Sequence, residues 1–119
     1  MAGLTTHVLD TTHGCPAAGM GLRLYARGEG GSYSQPIVDT RTNADGRCDG
    51  PLLSPKQLRV GGYRLEFDVA AYFRSLGLDL PEPPFLETVV IDFAVADADA
   101  HYHVPLLVSP FGYSTYRGS

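Results

Sequence analysis

Three histidines sit at the same kind of position in two strand-like runs from opposite ends of the chain, LTTHVLD (residues 4–10) and HYHVPLLV (residues 101–108). Successive side chains of an extended chain point to opposite faces. In the second run Tyr102, Val104, Leu106 and Val108 therefore share an apolar face, and His101, His103, Pro105 and Leu107 share the other. In the first run Leu4, Thr6 and Val8 oppose Thr5, His7 and Leu9. Imidazole titrates near neutral pH, so histidines gathered on one face could exchange protons with a substrate or a water. A face that mixes leucine with histidine suits cover by another subunit better than open solvent.

Three blander or different readings stand beside that one. Histidines on a strand's outer face are commonly solvated polar residues, and the leucines alone would suit an interface without chemistry. His101-x-His103 also has a spacing that zinc can use, with His7 as a third ligand and an open position for water, although no neighbouring carboxylate reads as an outer partner. Other nucleophilic arrangements find little support. There is no G-x-S-x-G elbow, and His13-Gly14-Cys15 reads as turn chemistry. Neither G-x-G-x-x-G nor a P-loop is present, so no nucleotide cofactor is expected.

The net charge of −4 comes from singly scattered residues, with no basic stripe, so neither nucleic acid nor an anionic membrane is an expected partner. No apolar run approaches the ~18 residues of a membrane span. The start, MAGLTTHVLD, has no secretory pattern, and the end is not Ser-Lys-Leu. The two cysteines, Cys15 and Cys48, read as reduced thiols of a cytoplasmic protein.

The positioning elements are strands. Fourteen glycines and nine prolines punctuate the chain into short runs. Leu22, Leu24 and Ala26 alternate with Arg23, Tyr25 and Arg27; Tyr63, Leu65, Phe67 and Val69 with Arg64, Glu66 and Asp68; Val89, Ile91, Phe93 and Val95 with Val90, Asp92 and Ala94. Val69, Phe73 and Leu76 share a helical face that Gly77 can end in a left-handed turn. LPEPP (80–84) forces an extended connection, and NADG (43–46) a tight turn that Arg47 leaves at a sheet rim. About eight strands in 119 residues predict one domain, 1–119, folded as an all-β two-sheet sandwich. A chain this short buries one core without a deep cleft, so a site would lie on a sheet face and a second subunit would help close it.

The stretches LTTHVLDTTHGCPAAGM, TNADGR, GGYRLEFDVAAYF and HYHVPLLVSPFGYSTYRGS, which cover nearly the whole chain, resemble those of the 5-hydroxyisourate hydrolases, enzyme relatives of transthyretin. The terminal Tyr-Arg-Gly-Ser carries most of the distinction from the hormone-carrying transthyretins. The resemblance implies a sandwich of two four-stranded antiparallel sheets with one short helix, assembled as a homotetramer, a dimer of dimers with metal-free sites in the groove between dimers. It implies hydrolysis of a purine-derived substrate, 5-hydroxyisourate, in urate degradation, without a cofactor. Catalytic roles would fall to His7, Arg47, His103 and Ser119, and substrate binding to His7, Arg47 and Tyr116; His101 is left outside the site. The rival reading is a transthyretin-like module that binds a small ligand without turnover.

Overall fold

The computed structural model describes residues 3–118. Eight strands form in chain order: β1 (Gly3–Asp10), β2 (Cys15–Pro16), β3 (Gly21–Ala26), β4 (Val38–Arg41), β5 (Gly61–Asp68), β6 (Thr88–Val95), β7 (His101–Ser109) and β8 (Gly112–Thr115). They make two four-stranded sheets, ordered β2-β1-β7-β8 and β4-β3-β5-β6. The alternation places the faces as expected. Leu4, Val8, Leu106 and Val108 of the first sheet meet Leu22, Leu24, Leu65, Phe67 and Val89 of the second in the core.

One expectation is corrected. The second sheet is antiparallel throughout, but the first is mixed, because β1 and β7 run parallel with Thr5 opposite His103 and His7 opposite Pro105. Period-two patterning shows which face of a strand is buried and carries no information about strand direction. Parallel neighbours need a long crossover, and here the intervening chain, including the whole second sheet, supplies it.

Among the described residues there is one α-helix, α1 (Val69–Ser75). It buries Val69, Ala70, Tyr72 and Phe73 and ends before Gly77, whose φ of 86° gives the left-handed turn. Its first amides, Val69 N–H and Ala70 N–H, donate to the Glu87 carbonyl at 3.1 and 3.2 Å, so the helix start is satisfied by the chain entering β6. At the base of α1, the fully buried Asp10 accepts from His13 Nδ1 at 2.6 Å, His13 N–H at 3.0 Å and the Tyr72 hydroxyl at 2.8 Å. The His13 region is thus a turn clamp, and Cys15 beside it is an exposed free thiol.

The outer faces of the two sheets differ in kind. On the second sheet, Arg23 grips Asp68 with two hydrogen bonds of 3.0 and 2.8 Å, and Arg64 grips Asp92 with two of 2.7 and 3.0 Å. That face satisfies its own charges. The first sheet instead presents imidazoles, a hydroxyl and leucines.

Candidate active site

The free edge of β1 is covered by an irregular segment that starts at the NADG turn. Asn43 builds the turn: its side-chain oxygen accepts from Asp45 N–H at 2.9 Å and Arg47 N–H at 3.2 Å, and Gly46 N–H returns to the Asn43 carbonyl at 3.0 Å. Gly46 has a φ of 74°, and a Cβ there would strike the Val8 carbonyl, so only glycine lets the turn press this close to β1. The segment then pairs antiparallel along β1, with Val8 N–H to the Gly46 carbonyl at 2.8 Å, His7 opposite Arg47, and Leu4 opposite Leu53. A turn signal in the sequence thereby becomes a guanidinium beside a histidine.

β7 lies on the other side of β1 and brings His103 opposite Thr5. Beyond it the tail returns along β7. Thr115 Oγ1 donates to the Pro105 carbonyl at 2.8 Å, the Arg117 guanidinium donates to the His101 carbonyl at 3.1 Å and stacks 4.0 Å over the Tyr102 ring, and Gly118 N–H donates to the His103 carbonyl at 2.7 Å. Arg47, His7, His103 and Gly118 thus lie on four neighbouring strand lines of one sheet face, the lines about 5 Å apart and His103 offset from His7 by two residues along the strands. A small heterocycle can touch several of them at once.

A hollow of about 520 Å³ opens on this face, lined by Thr5, Thr6, Arg47, Cys48, Gly50, Pro51, His101 and His103. His7 is not in the lining but flanks it through the Arg47 pairing. Burial pushes the His103 pKa below the usual imidazole value, and the charges of Arg47, His101 and His7 push the same way. Both effects favour the neutral form of His103. His7 Nε2 lies 3.0 Å from the Asp45 carbonyl. A carbonyl only accepts, so neutral His7 keeps its proton on Nε2 and its lone pair on Nδ1. Cys48, on the same wall, has its thiol pKa raised by burial and by Asp49, which leaves it a poor nucleophile.

Of the residues expected at the site, His7, Arg47 and His103 come together. Ser119 lies outside the described residues, but its neighbour Gly118 is fastened to the His103 backbone. Tyr116 is not brought to this hollow within its own chain. It is exposed and lines a separate apolar hollow with Ile91, Phe93, Tyr102 and Val104 at the open edge between the sheets. His101, left out on sequence grounds, lines the main hollow, as does Thr5, which the sequence did not single out. The alternation held both signals, since Thr5 and His101 share the outer face with His7 and His103. Among the described residues no three His, Cys, Asp or Glu side chains converge as a metal site, and no helix is long and apolar enough to cross a membrane.

Known proteins share this framework. A family model described as "Transthyretin: HIUase/Transthyretin family" matches residues 4–118. A 5-hydroxyisourate hydrolase of Caulobacter vibrioides is 56% identical over 119 residues, the whole of both chains. The 5-hydroxyisourate hydrolase of Mus musculus is 42% identical over 116 residues, 98% of this chain and 94% of its own. Among solved structures, an (S)-allantoin synthase superposes with a TM-score of 0.90 at 42% identity over 99% of this chain, which spans 44% of that longer chain. Sea bream transthyretin in complex with thyroxine gives a TM-score of 0.86 at 30% identity, covering 98% of this chain and 95% of its own. Matches this long, laid over a sandwich whose outer face gathers two histidines and an arginine, make the chain a member of the HIUase/transthyretin family.

Proposed function

We propose that the chain is a 5-hydroxyisourate hydrolase, opening its substrate to 2-oxo-4-hydroxy-4-carboxy-5-ureidoimidazoline in urate degradation. The observation that carries this reading is the meeting of His7, Arg47 and a depressed-pKa His103 on one sheet face, in a chain 56% identical to a full-length protein of that name.

The reaction sets three tasks: activate a water, stabilise the charge that develops on the attacked ring carbonyl, and hold a flat polar ring. His7 and His103 share the first, because a neutral imidazole near working pH contributes roughly 10²–10⁴ in rate as a base. As water adds to the carbonyl, one imidazole accepts its proton. When the C–N bond breaks, that proton passes to the leaving nitrogen. Arg47 offers a planar fork of donors to the substrate oxygens and to the developing oxyanion, and its fixed charge adds to burial in disfavouring protonation of His103. Ser119, which follows Gly118 in the sequence, is assigned a catalytic role. Tyr116 is assigned a substrate contact, made where a neighbouring subunit closes the groove rather than in its own chain's hollow. No metal takes part.

The assembly we propose is a homotetramer, because the histidine and leucine face is only half covered within one chain. The free thiols Cys15 and Cys48 suit the cytoplasm. A ligand-binding sandwich without turnover is the second reading, favoured by the thyroxine complex of the sea bream relative. Spectrophotometric decay of freshly generated 5-hydroxyisourate separates them. The hydrolase accelerates the decay catalytically, and a carrier leaves it at the spontaneous rate.

A further inference from the structure

One hydroxyl stands between two imidazoles on the outer face of β1 and β7. Thr5 Oγ1 is 2.8 Å from His103 Nδ1 and 3.5 Å from His101 Nε2. The rings of His101 and His103 lie nearly parallel, 10° apart, with centroids separated by 6.4 Å. The hydroxyl therefore reaches one nitrogen of each. A hydroxyl has one proton to give and lone pairs to accept with. It can serve both rings by donating to one and accepting from the other; accepting from both would leave its own proton without an acceptor among the described groups.

His101 sets the direction. Its Nδ1 is buried with no hydrogen-bond partner among the described residues. Neutral imidazole carries one ring proton, and a proton on Nδ1 would bury an N–H with nothing to receive it. Buried orphan donors are rarer than under-used acceptors. On Nε2 the same proton can be given to Thr5 Oγ1. The Thr5 proton, which has no other acceptor among the described groups, then turns toward His103, whose Nδ1 accepts it at 2.8 Å. His103 is left with its own proton on Nε2.

We infer that Thr5 is a positioning residue of the hydrolase site: backed by His101, its hydroxyl holds the His103 proton on Nε2. The inference rests on the hydrolase reading for its kinetic consequence only. It divides the work between the two site histidines. His7, with its lone pair on Nδ1, takes the proton from water and returns it to the leaving nitrogen. Neutral His103 donates a hydrogen bond from Nε2–H to the carbonyl oxygen and keeps its proton throughout. Its low pKa suits that task, since a neutral ring polarises a carbonyl without first having to lose a proton. The Thr5–His101 pair touches no reacting atom; it acts through the His103 tautomer.

The test combines a spectrum and a rate. Protein labelled with ¹⁵N-histidine is observed by long-range ¹H–¹⁵N correlation without substrate, where the pattern of couplings reports which ring nitrogen holds the proton. His103 is expected as the Nε2–H form in the native protein and in Thr5→Ser. In Thr5→Val, which keeps the shape and removes the hydroxyl, that form should lose its dominance. Kinetically, Thr5→Val should lower kcat about tenfold with KM held within about twofold, the scale of one lost hydrogen bond, and Thr5→Ser should recover most of the loss. A native His103 protonated on Nδ1 would overturn the proposal, as would a Thr5→Val protein with native kcat or an unchanged tautomer. If instead no variant and no native protein consumes 5-hydroxyisourate, the hydrolase reading fails, and the spectrum still decides the arrangement of the hydroxyl.

Discussion

Replacing Gly118 with alanine puts a methyl group where the His103 ring already is. A Cβ at position 118 would lie 2.6 Å from His103 Cδ2 and 3.3 Å from its Cβ and Cγ. Carbon atoms in contact prefer about 3.5–4.0 Å, so roughly 1 Å of movement is required. Either the ring swings away or the tail lifts off β7 and breaks the 2.7 Å bond from Gly118 N–H to the His103 carbonyl. Both routes damage the site. A swung ring cannot keep its hydrogen bond to Thr5, and a lifted tail releases Gly118 from the His103 backbone. Misplacement of a catalytic group by about 1 Å costs on the order of a hundredfold, and that is the expected fall in kcat/KM, read from 5-hydroxyisourate decay. Stability should barely respond. One peripheral hydrogen bond is worth about 1 kcal/mol, so the unfolding midpoint should move by no more than about 4 °C. Hydrogen exchange at residue 118 distinguishes the lifted tail, with fast exchange, from the swung ring. Gly118→Ala protein with kcat/KM within about threefold of native would refute the reasoning, because it would mean the contact can relax without reaching the chemistry.

Arg47→Gln should reduce turnover by roughly a hundredfold or more through loss of oxyanion stabilisation. It should also raise the His103 pKa toward the ordinary imidazole value, since one of the charges opposing its protonation is gone; an NMR titration in which His103 does not move upward would contradict that electrostatic account. Asp10→Asn tests the clamp under α1. Burial works to raise the Asp10 pKa, but hydrogen bonds from His13, Tyr72 and the His13 amide outweigh it and hold it below the usual range. A carboxylate depressed on folding stabilises above its unfolded pKa of about 4 and loses that contribution as pH falls through the folded value. The variant should therefore lose about 1–3 kcal/mol at neutral pH, with a shallower loss of stability below pH ~4 than the native protein, measured by urea unfolding across pH. Finally, excess chelator should leave the rate unchanged, and activity that vanished with chelator and returned with zinc would reverse the metal-free mechanism.

Alternation made the faces of this sandwich legible, and the faces carried the chemistry. Val104 and Leu106 had to be buried, so His103 had to be outside, whatever ran beside it. The same logic placed His7. What alternation left out was adjacency. Nothing in LTTHVLD or HYHVPLLV says that the two runs are neighbours, let alone parallel, because the register that sets Thr5 opposite His103 is fixed by packing across the whole sheet. Thr5 and His101 were thus on the right face but had no visible reason to matter until that register joined them. Asp10 was hidden for a related cause. A carboxylate at the end of an apolar run looks like a strand terminus facing water, and its burial depends on Tyr72, sixty-two residues away, arriving with α1.

Arg47 was legible by another route, through backbone chemistry rather than pattern. Asn43 and Gly46 announce a tight turn, and the residue that leaves it must sit at a sheet rim. Tyr116 marks where such reasoning stops. Its motif puts it in the tail, yet the tail's path past Pro105 carries the ring to the hollow beside Ile91 and Phe93. Sequence separation from Gly118 is two residues; the direction of a side chain at the end of an edge strand is set by what the strand has to grip. Here the grip falls to Thr115 and Gly118 on β7, so Gly118 arrives beside His103 while Tyr116 points elsewhere. A tail anchored at Thr115 and again at Gly118 brings Gly118 to the site, and its exposed tyrosine is left for whatever covers the edge.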